Sequence, residues 1–249
     1  MRVFAAMAIV ACCVGPATGV AAPIVLANHG VKAPKGVKGK VRLGYLATSG
    51  NTQTRNLHAD FHVAFMLRQW IYSFSATAYN SMESGQTTAE RYTSSFKTDY
   101  DFTPHNYVFA SAKFDRDRFS GYERRTSETA GYGRRLISNG PVRLDAEVGV
   151  GARQTKVADA LPARNRNEAI LHTVGKLEWD ISDTSRLLQS LEVQSGRSDT
   201  FVESVTSLKN NIRGNLYWRL SYDVRHNSSV PPGIKKTDTQ TSISLEYDF

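Results

Sequence analysis

Leu57, Ala59, Phe61, Val63, Phe65 and Leu67 set an apolar side chain at every second position, with Asn56, His58, Asp60 and His62 between them. Successive side chains of a strand point to opposite sides, so a period of two reads as a strand with one oily and one wet face. The same alternation runs along Val142, Leu144, Ala146, Val148, Val150 and Ala152 against Arg143, Asp145, Glu147 and Arg153. It returns in Leu216, Trp218, Leu220, Tyr222 and Val224 against Tyr217, Arg219, Ser221, Asp223 and Arg225, and helical spacing fails in all three stretches. Weaker alternation covers residues 41–47, 70–80, 89–102, 106–118, 124–137, 166–181, 185–197, 201–211 and 237–249. That makes about twelve strands, and a tilted strand needs about 9 to 11 residues to cross an outer membrane.

The connections alternate as well. Short ones with turn chemistry fall at Arg68-Gln69, Thr103-Pro104-His105, Ser138-Asn139-Gly140-Pro141, Ser182-Asp183-Thr184 and Ile212-Arg213-Gly214. Longer ones occupy residues 48–54, 81–88, 119–123, 156–165, 198–200 and 227–236. The expected fold is all-β, an up-and-down transmembrane β-barrel of about twelve antiparallel strands over residues 41–249, with both termini on the short-turn, periplasmic side. A soluble periplasmic ligand-binding barrel would alternate too, with the oily face inward. Two features favour the inverse assignment. A twelve-strand interior is too wide to be packed solid by Ala, Val and Leu. Aromatic residues also gather near strand ends, at Trp70, Tyr72, Tyr100, Phe102, Trp179, Trp218, Tyr247 and Phe249, as rings do at headgroup level.

The N-terminus is a separate object. Arg2, an apolar run from Val3 to Val14 and the small residues before Ala22 read as a signal peptide over residues 1–21. Both cysteines, Cys12 and Cys13, lie within it, so the mature chain would carry no thiol chemistry, disulfide or cysteine-ligated metal. Residues 22–40 hold Lys32, Lys35, Lys38 and Lys40 among Gly and Pro with no acid, the composition of a flexible basic periplasmic leader. The whole chain has 31 Lys and Arg against 23 Asp and Glu, a formal net charge of +8. A mean hydropathy of −0.37 argues against a bundle of membrane-spanning helices and leaves a barrel open.

Several local stretches carry a family resemblance: Gly50-Asn51-Thr52-Gln53-Thr54, Asp117-Arg118-Phe119-Ser120-Gly121-Tyr122, Gly131-Tyr132-Gly133-Arg134, and Pro231 through Thr239. They resemble the bacterial family of salt-induced outer-membrane proteins, a domain of unknown function, over roughly residues 41 to 249. The end of the chain, with Ile243, Leu245, Tyr247 and Phe249 in alternation, is similar to the terminal strand of bacterial outer-membrane proteins. There such an aromatic end signals to the barrel assembly machinery, a role the resemblance assigns to Tyr247 and Phe249. The resemblance implies the outer membrane of a Gram-negative bacterium and supplies no catalytic residue.

With the oily face outward, the polar face lines the interior. Its candidates are His58, Asp60, His62, Arg91, Lys97, Asp99, Lys113, Asp115, Asp117, Arg143, Asp145, Glu147, His172, Lys176, Glu178, Arg186, Glu192, Arg219, Asp223 and Arg225, joined by Arg42, Asp101, Arg135, Arg153, Glu168 and Asp180. Both signs occur in similar number, unlike a single-sign selectivity filter. Hairpin register sets Arg91 opposite Asp117, Glu178 opposite Arg186 and His172 opposite Glu192, pairs worth roughly 0.2 to 1 kcal/mol each. His58 and His62 lie about 13 Å apart along one strand, too far to share a zinc ion. Asp99/Asp101 and Asp115/Asp117 sit at about 6.6 Å, a spacing that hydrolases use, although balancing nearby Lys and Arg is the simpler role.

No metal or cofactor is expected, and no serine sits in a nucleophile turn. Gly131/Gly133 and Gly149/Gly151 lack the following helix of a nucleotide site and leave room for large neighbours instead. Arg124, Arg125, Arg164, Arg166, Lys235 and Lys236 fall on the long-loop side, where they could meet lipopolysaccharide phosphates or serve as solubilising charge. The expected partners are outer-membrane lipid, lipopolysaccharide and the assembly machinery, with no nucleic acid and a monomer by default. The functional expectation is a structural barrel or a narrow passage for small solutes and ions. A barrel enzyme acting on lipid or peptide and the soluble ligand-binding barrel are the alternatives.

Overall fold

The structure is a computed structural model that describes residues 36–48, 54–117, 122–157 and 165–249. The signal peptide, most of the basic leader, Gly50 to Gln53, Arg118 to Gly121 and Arg164 lie outside the described residues. Twelve strands are described: β1 Gly36–Thr48, β2 Thr54–Leu67, β3 Trp70–Glu83, β4 Gln86–Asp101, β5 Asn106–Asp117, β6 Tyr122–Ile137, β7 Val142–Val157, β8 Asn165–Asp180, β9 Ser185–Gly196, β10 Thr200–Arg213, β11 Leu216–Asn227 and β12 Thr237–Asp248. Each pairs antiparallel with its neighbour in the chain, and β1 pairs with β12 to close the barrel. Closure leaves no free edge around the sheet, the condition for spanning a bilayer with strands.

Two boundaries depart from the sequence pattern. β1 begins at Gly36, so Lys38 and Lys40, expected in a flexible leader, belong to the first strand. The alternation is hidden there by Gly36 and Gly39, while the ladder with β2 is continuous from Gly36↔Met66. The connection expected as a long loop over residues 81–88 is a two-residue turn at Ser84-Gly85, with φ of 50° and 80° as a type I′ hairpin requires. A register shift between Ser81 and Met82 breaks the period of two and disguises the end of β3.

The outward face is oily and the inward face ionic. Ile243 is 70% exposed and Val150 67%, while Arg153, Arg219 and Asp223 are fully buried. That is the reverse of a soluble barrel, and it gives the sheet an apolar exterior suited to acyl chains. At the short-turn end the exterior carries rings: Trp70 packs on Tyr100 and Tyr72, at centroid distances of 4.8 and 5.9 Å, and Phe102 on Tyr132 at 6.3 Å. Trp179, Trp218 and Tyr247 sit near the same end of their strands.

Some aromatic side chains run inward instead, which alternation alone did not mark. Tyr107, Phe109, Tyr122 and Phe201 are buried among the ionic groups. Gly133 admits the Tyr107 ring, because a Cβ there would lie 2.2 Å from its Cζ.

Candidate functional site

The interior is a lattice of ion pairs in two tiers. On the short-turn side, Glu147 Oε1 on β7 accepts from Lys97 of β4 and Lys176 of β8, each at 3.0 Å, and from the Tyr107 hydroxyl at 2.8 Å. Lys97 also pairs with Asp99, and its ammonium lies 5.0 Å from the Phe109 ring centre. Arg135 binds Asp101 at 2.8 Å; Arg143 binds Asp180 at 2.6 Å and Glu178 at 3.2 Å. Around the closure, Glu246 of β12 receives Lys209 at 2.5 Å and Arg219 at 3.0 Å, with Arg42 at 3.7 Å. Arg42 reaches on to Asp60 at 3.3 Å, which also meets His58 at 2.8 Å.

On the long-loop side, Arg225 binds Glu203 at 2.5 Å. Lys113 bridges Glu203 at 3.2 Å and Glu192 at 3.1 Å. Asp115 accepts from Tyr122 at 2.5 Å and Thr93 at 2.7 Å, and Arg91 holds Asp117. Arg153 binds Glu168 at 2.6 Å and, with Arg125 at 3.3 Å, draws Asp199 down from the β9–β10 connection. Most of the buried charges have an opposite partner on another strand, the arrangement that lets charges lie out of bulk water.

Between the tiers the wall turns to small hydroxyl residues: Ser75, Ser95, Ser111, Ser127, Thr129 and Ser190 line a cavity of about 70 Å³. Short side chains cannot meet across the lumen, so space remains, and a polar cavity of that size has room for several waters. His62, His172, Lys97, Lys113 and Lys176 also face it.

Arg91 and Asp117 stand opposite each other as the hairpin arithmetic expects. The β8–β9 register is two residues off: Asp180 faces Arg186, His172 faces Gln194 and Val174 faces Glu192. The Ile181 N–H donates to the Ser185 carbonyl at 2.9 Å, so the turn over 182–184 centres on Asp183, whereas the expected pairs correspond to a turn centred one residue earlier, at Ser182; moving the centre by one residue moves the register by two. Glu192 still meets His172 diagonally at 3.3 Å, while Arg186 pairs with Asp180 and stays part-exposed. Asp145, His62 and Asp223 are buried, and neither oxygen of Asp223 is hydrogen-bonded to a described residue. The aspartate pairs are split among different cations and hydroxyls rather than facing one shared point. Among the described residues no three His, Asp or Glu side chains converge as metal ligands.

Arg125, expected in the loop region beside Arg124, points inward over the Tyr122 ring at 4.2 Å and bonds Asn227 at 3.1 Å. Arg124, Lys235 and Lys236 are exposed. Sequence reasoning missed Lys40, Glu203, Lys209 and Glu246. Glu246 was available from parity, since it alternates with the outward Leu245 and Tyr247. Glu203 and Lys209 were masked because β10 puts Val205 inside and Ser204 and Thr206 outside.

The comparisons agree with this architecture. The chain is 30% identical to the uncharacterized protein YdiY of Escherichia coli (strain K12) over 219 residues, covering 87% of this chain and 85% of that one. The NanC porin structure superimposes with a TM-score of 0.52 at 11% identity, covering 85% of this chain and 98% of that one. The translocator domain of autotransporter NalP from Neisseria meningitidis covers 86% of this chain and 89% of its own, at 12% identity and a TM-score of 0.49. The likeness to the NanC porin shows the shared outer-membrane barrel fold. Residues 41–249 match the family described as a protein of unknown function, DUF481, and this transmembrane barrel belongs to it.

Proposed function

We propose that the protein sits in the bacterial outer membrane as a narrow passage for small ions and solutes, not as an open general-diffusion pore. The observation that supports this is the hydroxyl-lined cavity of about 70 Å³, flanked on both sides by ion-paired tiers. A purely structural barrel has no need of a wettable centre, and a wide pore would not cross-link its walls with Lys113, Arg153 and Glu147. In this reading Tyr247 and Phe249 serve assembly, and exposed Arg124, Lys235 and Lys236 meet the phosphates of lipopolysaccharide.

Planar-bilayer recording tests it. The wild type should show a small conductance, and removing both partners of one long-loop-side pair, Glu203→Ala with Arg225→Ala, should raise it several-fold, while Lys113 keeps Glu192 and Asp115 keeps its bonds from Tyr122 and Thr93. A large weakly selective current in the wild type overturns the reading. So does silence from both proteins when heat-dependent gel mobility shows that they are folded, and that result favours a closed structural barrel, consistent with the dense pairing of the interior.

A further inference from the structure

We infer that the central cavity is an anion site, built to hold a halide or a small inorganic oxyanion. An ammonium group has three donors and no acceptor. Lys176 uses one donor, on Glu147; Lys97 uses two, on Asp99 and Glu147; Lys113 uses two, on Glu192 and Glu203. Each therefore keeps donor capacity beside the cavity it lines. The carboxylates there already carry donors: Glu147 Oε1 takes two lysines and Tyr107, and Glu192 takes Lys113, His172 and Gln194. A cation entering would meet three ammonium groups, whereas an anion completes bonds that the wall already offers.

His62 is the independent sign of a ligand. Its ring is 4% exposed, it lines the cavity, and neither ring nitrogen is hydrogen-bonded to a described residue. A buried imidazole N–H without an acceptor is costly, and an anion in the cavity would supply one. The volume selects the class of ligand. About 70 Å³ accommodates a small anion with a water or two and excludes a sugar or nucleotide, whose pockets run to several hundred Å³. Lysine-lined constrictions favour anions. Preference for anions in conduction rests on the passage proposed above, while occupancy of the cavity does not.

The test is therefore made in two places. Crystals of the folded full-length barrel grown with sodium bromide should show an anomalous peak in the cavity, within hydrogen-bond distance of Lys176 Nζ and a nitrogen of His62. Line broadening of chloride in solution should report the same site, and Lys176→Met should weaken bromide competition roughly tenfold or more. Ser190→Ala, which keeps every charge, provides a milder variant if Lys176→Met does not fold. An empty cavity in bromide, or a peak that survives both Lys176→Met and His62→Phe as an adventitious ion only, overturns the inference. Reversal potentials in a salt gradient are read separately. Anion preference supports site and passage together, and a silent bilayer with an intact bromide peak sinks the passage while keeping the site.

Discussion

The wall formed by β6 and β7 and the closure between β1 and β12 are both antiparallel pairings, yet they are held in different ways. β6 and β7 run together from Tyr122↔Val157 to Ile137↔Leu144 with two register shifts, and Gly131 faces Gly149 where the backbones crowd. β1 and β12 share only Lys40↔Asp248 through Leu43↔Leu245, extended by the reciprocal Gly39–Phe249 backbone bonds at 2.8 Å. In the long hairpin the ladder itself carries the load. At the closure a short ladder is reinforced from inside by Glu246, which gathers Lys209, Arg219 and Arg42 from three strands. Where backbone pairing is scarce, side-chain charge takes over the joining of strands distant in sequence.

Glu246→Ala should therefore be the most damaging single change. It strands Arg219, whose other side-chain bond is to Ser207, and removes a shared acceptor from Lys209 and Arg42. Breaking a buried pair on one side costs about 3–5 kcal/mol. Urea unfolding in detergent micelles, followed by heat-dependent gel mobility, should register a loss of that order. The control is Glu128→Ala in the β6–β7 wall, where the exposed, outward carboxylate takes one bond from Gln154 at 3.1 Å. Its expected effect is within about 0.5 kcal/mol. Equal losses in the two variants would refute the division of labour.

The next effect reverses the roles. A Cβ on Gly151 would lie 2.0 Å from the Glu128 carbonyl oxygen, so Gly151→Val forces β6 and β7 apart at their closest approach. Overpacking of this kind costs about 1–3 kcal/mol. Gly175 on β8 has open space where its Cβ would go, and Gly175→Val should change the unfolding midpoint little. A Gly151→Val barrel as stable as wild type would mean that the long ladder yields more easily than its register suggests.

Much of the fold was legible because a period of two survives wherever one face meets lipid and the other meets charge. Leu216 to Arg225 reads as a strand at sight, and Arg91 opposite Asp117 follows from its turn. The pattern fades where the two faces stop differing in polarity. β10 buries Val205 and turns the half-buried Thr206 outward, and the start of β1 mixes Gly36 and Gly39 with Val37, Lys38 and Lys40. Turn placement is the second blind spot, since moving the centre of the β8–β9 turn by one residue, from Ser182 to Asp183, changes the residue opposite His172 from Glu192 to Gln194 without changing composition. The cavity was illegible for a third reason. It arises from short hydroxyl side chains on strands far apart in sequence, and Ser75 and Ser190 carry no local mark that they share a space.

The smallest expected effect has the opposite sign and asks whether the closure unfolds together with the rest. Arg68 opens the two-residue turn between β2 and β3 with φ of 56°, a left-handed conformation that glycine adopts freely and other residues at a cost of about 1–2 kcal/mol. Glycine also loses more entropy on folding, so Arg68→Gly should gain only about 0.5–1 kcal/mol. That gain should appear in the midpoint of global urea unfolding, because β2 and β3 pair along their whole length. It should not appear in hydrogen exchange at the Gly39 and Phe249 amides if the four-residue closure opens as a separate, lower-energy event. Slower exchange at those two amides, in step with the midpoint, would show that the short closure and the long hairpins open as one cooperative unit. Their different construction would then leave no trace in the opening energetics.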